Sequence, residues 1–229
     1  MIKLYTDKIS DLHAHTVYSD GNMSIRVSIE RRISMINQIE EIGISDHFKY
    51  IEGAPWKEYR NEIEKCKSIF NRDTRKILLG VEVLASDVEK ISEEQYGDLD
   101  YIIIEHFEDF YTLDDYISLI SGTKQYFNGL IILAHPRIDK ILENLGEIQF
   151  IKLLKFLKVK GIPLEINVNW GYWFQDQCDV EKVFYTETRE MILLNQEEAL
   201  VSIGTDSHMY EDLLYDNFER VMWFLSEPE

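Results

Sequence analysis

The stretch DYIIIEH, residues 100–106, joins a short apolar, β-branched run to a polar ending, and this pattern recurs along the chain. An uninterrupted apolar run of this length is typical of a strand that is buried on both faces in a parallel sheet covered by helices. Six further runs of the same kind are present. The predicted strands end near residues 13, 47, 82, 106, 135, 165–167 and 206–208.

Segments with helical periodicity separate these strands. Ile25, Ile29, Ile33 and Ile36 fall on one face of a helix. Similar patterns occur near 56–71, 113–126, 147–160, 180–195 and 211–225. Successive strand ends are 24 to 41 residues apart, close to the roughly 30 residues that one βα unit takes.

The polar strand ends favour one of two parallel architectures. An open doubly wound sheet binds its ligand at one switch point, whereas here almost every predicted strand ends in a residue that can bind metal. Side chains from seven strand ends converge only if the sheet closes, as at the C-terminal face of a βα barrel. The sequence therefore predicts an α/β fold, a seven-stranded TIM-like barrel that forms a single domain over residues 1–229.

The amino-acid composition limits the classes of binding partner and the cellular compartment that we expect for the protein. The formal net charge is −18, from 24 Lys and Arg against 42 Asp and Glu, which argues against an extended surface for nucleic acid or anionic membrane. The N-terminal stretch MIKLYTDKIS has no signal-peptide core, and no apolar run approaches the ~18 residues of a membrane span. Cys66 and Cys178 are far apart, and Cys66 is expected to be buried. We expect a cytoplasmic protein whose oligomeric state is open.

All six histidines lie at predicted strand ends, namely His13, His15, His47, His106, His135 and His208. His13 and His15 are two residues apart on an extended segment, so both rings point to one side. Asp206 and His208 repeat this spacing. Histidines gathered at one convergent edge favour a metal site over scattered structural roles.

Carboxylates complete the candidate site. Asp20 follows the first strand, where it could also serve as a turn residue, and Asp206 follows the last. Glu82 stands between Val81 and Val83, and if it is buried there it must be paired or bound to metal. Asp46 alternates to the other face and is expected to cap or orient its neighbour His47, outside the set of direct ligands.

The motifs DLHAHTVYSDG, ISDH, GVEV, EHF, AHPR and GTDSH, in this order, resemble those of the polymerase-and-histidinol-phosphatase (PHP) family. This resemblance implies a distorted (β/α)7 barrel with three divalent metal ions. It would place His13, His15, Glu82 and Asp206 on the first metal, Glu82, His106 and His135 on the second, and Asp20, His47 and His208 on the third. Nitrogen and oxygen ligands without thiolate suit Zn, Mn or Fe.

The resemblance also implies an activity. It is that of a metal-dependent phosphatase, in which a metal-activated hydroxide hydrolyses the phosphate monoester of a small molecule, with histidinol phosphate as one candidate. The residues that would take part in catalysis are His13, His15, Glu82, Asp206 and His208. No GxSxG, Cys–His or phosphate-loop motif offers a covalent route.

Four further features lie close to the predicted site. Arg137 could bind a substrate phosphate through its guanidinium fork, and Asn167 could meet the substrate from the sixth strand. Glu165 shares the face of Asn167, where it could instead close a hydrogen bond inside the barrel. The aromatic run Trp170–Phe174 could wall the pocket or pack a long loop.

Three other functions stay open. A PHP-type nuclease or phosphodiesterase would act on nucleotides or short oligonucleotides, although the charge of −18 disfavours a long nucleic acid. An amidohydrolase also pairs an HxH motif with a final-strand Asp, but its bridging ligand usually follows strand four, whereas Glu82 ends the third strand. A metal-binding module without activity would be expected to have lost some ligands.

Overall fold

The computed structural model describes residues 2–36, 38–168, 188–209 and 215–226. Its eight strands are β1 (Lys3–Leu4), β2 (Ser10–Asp11), β3 (Glu41–Ile44), β4 (Lys76–Leu84), β5 (Tyr101–Glu105), β6 (Leu130–Leu133), β7 (Leu164–Asn167) and β8 (Leu200–Gly204). They form one sheet in the order β1-β8-β7-β6-β5-β4-β3-β2. Every neighbouring pair is parallel, so all the strands point their C-terminal ends toward the same edge.

The sheet curls until β2 and β8 meet. Ala14 and Ser207, just beyond these strands, form a parallel bridge, and the His15 backbone N–H donates to the Ser207 carbonyl at 2.9 Å. The Asp11 carboxylate accepts hydrogen bonds from the Thr205 N–H at 3.0 Å and from its hydroxyl at 2.9 Å. The predicted single-domain, TIM-like α/β barrel is therefore confirmed.

The seven predicted strands correspond to β2 through β8. The structure adds β1, whose two residues Lys3 and Leu4 pair with Leu200 and Val201 of β8. The structure therefore has one strand more than the sequence predicted.

Helices cover the outside of the sheet. They are α1 (Ile25–Met35), α2 (Phe48–Ile51), α3 (Ala54–Phe70), α4 (Glu93–Asp98), α5 (Leu113–Tyr126), α6 (Ile138–Leu145), α7 (Glu147–Lys160), α8 (Arg189–Gln196) and α9 (Tyr215–Ser226), with a 3₁₀ turn at Ala85–Lys90. The predicted isoleucine face of α1 is confirmed, since Ile25, Ile29 and Ile36 are buried and Ile33 packs against the core. Cys66 is buried in α3, as expected.

Alternation along the strands separates the layer beneath the helices from the barrel interior. On β4, Ile77, Leu79, Val81 and Val83 join the main apolar core. A smaller cluster lies on the other face of the sheet and consists of Leu12, Tyr101, Ile103, Ile132 and Ala134. The residues of β4 and β5 that share this inner face lead directly to the polar strand ends.

A buried ion pair ties α1 to the sheet. Arg32 is fully buried, and its Nη1 donates to the Gly43 carbonyl at 2.7 Å and lies 3.6 Å from Asp11 Oδ2. Because Asp11 also binds Thr205, this pair supports the junction between β2 and β8. Removing one partner would leave the other charge buried and uncompensated.

Among the residues that the structure describes, no helix combines the length and the apolar character that crossing a membrane requires.

Candidate metal centre

Four side chains meet at the C-terminal end of the barrel and form what we call the inner group: His13, His15, Glu82 and Asp206. The Nε2 atoms of His13 and His15 lie 3.1 Å apart. Glu82 Oε1 lies 3.2 Å from His13 Nε2, and Glu82 Oε2 lies 3.2 Å from His15 Nε2. Asp206 Oδ1 lies 3.4 Å from the first ring and 3.1 Å from the second. Two imidazoles and two carboxylates therefore face one point.

The Glu82 carboxylate shows that this point suits a cation. Glu82 is only 1% exposed, and within the described residues no hydrogen bond reaches its Oε1. The Nε2 atoms of His13 and His135 nevertheless lie 3.2 and 3.3 Å from that oxygen. A buried carboxylate oxygen without a hydrogen bond is costly. A divalent ion held by these nitrogen and oxygen donors would satisfy it, so the residues fit a metal.

Hydrogen bonds on the far side of two rings direct the ligating nitrogens. His13 Nδ1 lies 2.8 and 3.0 Å from the two oxygens of Glu165, so in the neutral ring the proton sits on Nδ1 and Nε2 is the free lone pair. His208 Nδ1 likewise faces the Asp206 carbonyl at 3.0 Å. Such outer contacts are typical of histidines that bind metal.

The electrostatics of the inner group favour positive charge. Burial by itself lowers the pKa of His13, but the carboxylates of Glu165, Glu82 and Asp206 hold that pKa well above its ordinary value. Burial is outweighed in the same way at His15, where Asp206 and Glu82 raise the pKa to about 10. At His135, Glu82 outweighs burial and raises the pKa to about 8.

The carboxylates respond in the opposite direction. Burial raises the pKa of Glu82, but the adjacent rings of His13 and His135 bring it well below its ordinary value. Burial also raises the pKa of Asp206, and His13 and His15 outweigh that effect and lower it to about 2. Protons on the imidazoles thus balance the carboxylates when no metal is bound, and metal binding would release them.

A second set of side chains, the outer group, consists of His15, Asp20, His47 and His208, whose ligating atoms lie within 4.8 Å of one another. Asp20 Oδ2 lies 3.3 Å from His47 Nε2, and Asp20 Oδ1 lies 3.4 Å from His208 Nε2. Asp20 is 43% exposed, so this group opens to solvent while the inner group is buried.

The loop that carries Asp20 is held by Asp46. The Asp46 carboxylate accepts from the Thr16 N–H and hydroxyl, both at 2.7 Å, and from the Ser19 hydroxyl at 2.5 Å. Asp46 therefore orients the loop from outside the two groups.

A family model described as the PHP domain matches residues 11–169, well over half of the chain. The chain belongs to the PHP domain family. The match ends before Asp206 and His208, so the membership of these two residues in the centre rests on the geometry alone.

Two comparisons give the relatives of this PHP domain. It is 25% identical over 230 residues to the DNA polymerase/3'-5' exonuclease PolX of Bacillus subtilis (strain 168). The aligned region covers 93% of this chain and 38% of that protein. The chain thus spans well under half the length of that relative. A crystal structure of hisK from Listeria monocytogenes, a candidate histidinol phosphatase, matches with a TM-score of 0.59 and 14% identity over 90% of this chain and 97% of that one. This second likeness shows the fold.

Eight of the nine ligand positions that the PHP resemblance implies lie together. They are His13, His15, Asp20, His47, Glu82, His135, Asp206 and His208. His106 is the exception. Its side chain is 62% exposed, its Nε2 lies 3.5 Å from Glu105 Oε2, and it belongs to none of the metal-compatible groups found among the described residues.

Left-handed backbone conformations mark three strand ends of the PHP barrel. The φ angle is 56° at His106, 23° at His135 and 47° at Asp206. Non-glycine residues rarely adopt this region, and those that do concentrate at functional sites. Ile132 on β6 and Ala134 just beyond it face the interior, so regular alternation would turn His135 outward. Its left-handed backbone instead lets the ring approach Glu82.

The predicted substrate contacts have partners within the protein. Arg137 binds Asp139 with both arms of its fork, at 2.9 and 2.7 Å. Asn167 is buried, and its Nδ2 donates to Asp206 Oδ2 at 3.1 Å, which orients a candidate metal ligand. The aromatic run Trp170–Phe174 lies outside the described residues.

Two carboxylates with roles at the centre were not among the predicted ligands. Glu165 holds His13, and its Oε2 also accepts from the His135 backbone N–H at 3.0 Å. Glu105 Oε1 lies 3.3 Å from His47 Nδ1. Their signal was available in the sequence, because both lie on the inward parity of the alternation, Glu105 at the end of β5 and Glu165 within β7.

Proposed function

We propose that this PHP domain is a metal-dependent phosphoesterase that hydrolyses the phosphate monoester of a small molecule. The convergence of His13, His15, Glu82 and Asp206 on one point, with a buried Glu82 oxygen that no hydrogen bond satisfies, is the observation that carries the proposal. Family membership supports the same class of reaction.

The centre would hold three divalent ions, with Zn, Mn and Fe as the candidates for its nitrogen and oxygen donors. When bound, such ions polarise phosphoryl oxygens, stabilise a leaving alkoxide and lower the pKa of a bound water toward neutrality. The direct ligands at the reacting centre would be His13, His15, Glu82, Asp206 and His208.

The chain supplies orientation around these ligands. Glu165 keeps a proton on His13 Nδ1, so that Nε2 faces the inner group. Asn167 holds Asp206 Oδ2 and leaves Oδ1 directed at the two imidazoles. Fixed ligands lower the cost of assembling the reactive geometry when a substrate arrives.

Charge favours a small anionic substrate. The six imidazoles and three carboxylates of the family positions carry −3 when the rings are neutral, so three divalent ions would leave the pocket cationic in a protein of net charge −18. A phosphate monoester dianion would be attracted into this pocket. Histidinol phosphate is one candidate substrate. Arg137, two residues after His135, would bind a phosphate oxygen of the substrate if its guanidinium group exchanged the Asp139 carboxylate for that oxygen.

A second function, a nuclease or phosphodiesterase acting on nucleotides or short oligonucleotides, is favoured by one observation. The sequence relative PolX is named as a DNA polymerase and 3'-5' exonuclease. The net charge of −18 disfavours a long duplex as substrate.

A substrate panel tests the two functions. Protein loaded in turn with Mn²⁺, Zn²⁺ and Fe²⁺ would be given histidinol phosphate, sugar phosphates, nucleoside monophosphates and a short oligonucleotide, with His13→Ala as the blank. We expect selective release of inorganic phosphate from one monoester. Cleavage of the oligonucleotide alone would support the nuclease, and no turnover with any metal would contradict both.

A further inference from the structure

Strand β5 ends in Glu105 and is followed directly by His106, and each of these adjacent residues could bind metal. Tyr101 and Ile103 belong to the cluster inside the barrel, whereas Ile102 and Ile104 belong to the core beneath the helices. Continuing this period of two places the Glu105 side chain toward the centre. His106 follows the strand with a φ angle of 56°, outside the regular alternation, so its exposure and contacts show where its side chain lies.

The side-chain contacts agree with this alternation. Glu105 is only 10% exposed, and its Oε1 lies 3.3 Å from His47 Nδ1. Glu82 Oε2 lies 3.1 Å from the same nitrogen. The ligating atoms of His47, Glu82 and Glu105 all lie within 4.8 Å of one another. His106, in contrast, is 62% exposed.

Two buried carboxylates lie beside one imidazole, and a metal ion between them would offset their charge. Glu82 and Glu105 both approach His47 Nδ1, and a single ring proton cannot serve both carboxylates well. Glu82 also keeps its other oxygen, Oε1, without a hydrogen bond from any described residue. Placing carboxylates this close together and out of water is costly unless a cation lies between them.

We propose that Glu105, rather than His106, is the ligand that β5 contributes to the metal centre. This inference rests on the proposed metal-dependent function, but it concerns which side chain holds the ion. Exchanging a neutral imidazole for a carboxylate lowers the net charge of the loaded pocket by one unit. It also adds an oxygen donor, which suits Mn²⁺ better than a nitrogen-rich set would.

Metal stoichiometry tests the assignment without reference to activity. Wild type, Glu105→Gln and the matched variant His106→Gln would be stripped with chelator and dialysed against Mn²⁺, and the bound Mn²⁺ per chain would be measured by mass spectrometry. We expect Glu105→Gln to bind one equivalent fewer than wild type and His106→Gln to bind the full number.

The opposite pattern would overturn the inference, and so would equal binding by all three proteins or a loss in both variants. Circular dichroism would establish that each variant is folded. If Glu105→Gln does not fold, Glu105→Asp keeps the charge but shortens the reach, and it should bind the same equivalent at least about tenfold more weakly; unchanged affinity would then overturn the inference. A wild type that binds no Mn²⁺, Zn²⁺ or Fe²⁺ would instead contradict the proposed function itself.

Discussion

Glu165 holds the Nδ1 side of His13 with both carboxylate oxygens, at 2.8 and 3.0 Å. The same carboxylate accepts a hydrogen bond from the His135 backbone N–H at 3.0 Å. One side chain on β7 therefore positions residues that follow β2 and β6. Carboxylates placed behind a metal-binding histidine orient the ring and raise its basicity.

Replacing Glu165 by Gln should weaken metal binding by about 10- to 100-fold, because an amide accepts poorly from His13 Nδ1 and from the His135 N–H together. Competition with a chelating fluorophore would measure the affinity for Mn²⁺. Ser202→Ala is the matched control, since Ser202 pairs with Glu165 in the sheet register and its buried hydroxyl has no hydrogen bond within the described residues. Equal affinity in Glu165→Gln and Ser202→Ala would contradict the role of Glu165.

Gly204 leaves the space that Glu165 occupies. A Cβ at this position would lie 2.0 Å from Glu165 Oε1 and 2.9 Å from the His13 Cβ. We expect Gly204→Ala to lower the free energy of unfolding by about 1–3 kcal/mol and to weaken Mn²⁺ binding. Urea unfolding would measure the first effect. Gly122→Ala, in α5 with nothing within 4 Å of the added Cβ, should stabilise by about 0.5–1 kcal/mol. Equal changes in the free energy of unfolding for Gly204→Ala and Gly122→Ala would contradict the close approach of Glu165 to position 204.

The metal-free protein should lose stability as the pH rises above neutrality. The pKa of His135 is raised to about 8 and that of His15 to about 10, whereas an unfolded histidine titrates near pH ~6.5. A pKa that folding raises contributes stability that is complete below the unfolded value and is lost as the pH passes through the folded value. Urea unfolding in chelator should therefore give a free energy that falls from about pH 6.5 to about pH 10.

Bound Mn²⁺ should oppose this loss of stability with rising pH, because the histidine rings must lose their protons to bind metal. The stabilisation that saturating Mn²⁺ adds should grow across the same pH interval. A metal-free stability that is flat or rising there would contradict the placement of the carboxylates around His15 and His135.

Removing Asp20 should affect the outer group alone. Asp20 lies 3.3 and 3.4 Å from the Nε2 atoms of His47 and His208. It approaches His15 only at Nδ1, 3.6 Å away, whereas Nε2 of that ring faces Glu82 and Asp206. We expect Asp20→Ala to bind one Mn²⁺ fewer while the buried inner group stays loaded. Asp7→Ala, an exposed aspartate near the N-terminus, is the control. Unchanged stoichiometry in Asp20→Ala would remove Asp20 from the centre.

The barrel could be predicted because apolar strand runs recur at the spacing of βα units, and much of the centre could be predicted because its candidate ligands lie at the ends of those runs. The spacing of His13 and His15 requires both rings to point the same way on an extended segment, and their Nε2 atoms are indeed 3.1 Å apart. Glu82 stands between two valines, where a buried carboxylate must be paired or bound to metal, and the structure leaves it 1% exposed.

The sequence could not predict conformations that arise where a strand ends. His106 and His135 are both histidines after apolar strands, and both have positive φ. Only the second ring approaches Glu82, because the direction of a side chain there depends on backbone angles that tertiary contacts impose. The partners of Glu165 and Asn167 likewise depend on strand register, which a single sequence does not display.

The rate of phosphate release by wild type and Asp206→Asn, with and without Mn²⁺, tests the central claim most directly. Asp206 Oδ1 lies 3.1 Å from His15 Nε2, and the amide keeps the shape of the side chain while it removes the ligating charge. With para-nitrophenyl phosphate as substrate, we predict release that requires Mn²⁺ and is abolished in the variant. Release by chelator-stripped wild type, or a wild-type rate in Asp206→Asn, would contradict a metal-dependent phosphoesterase at this site.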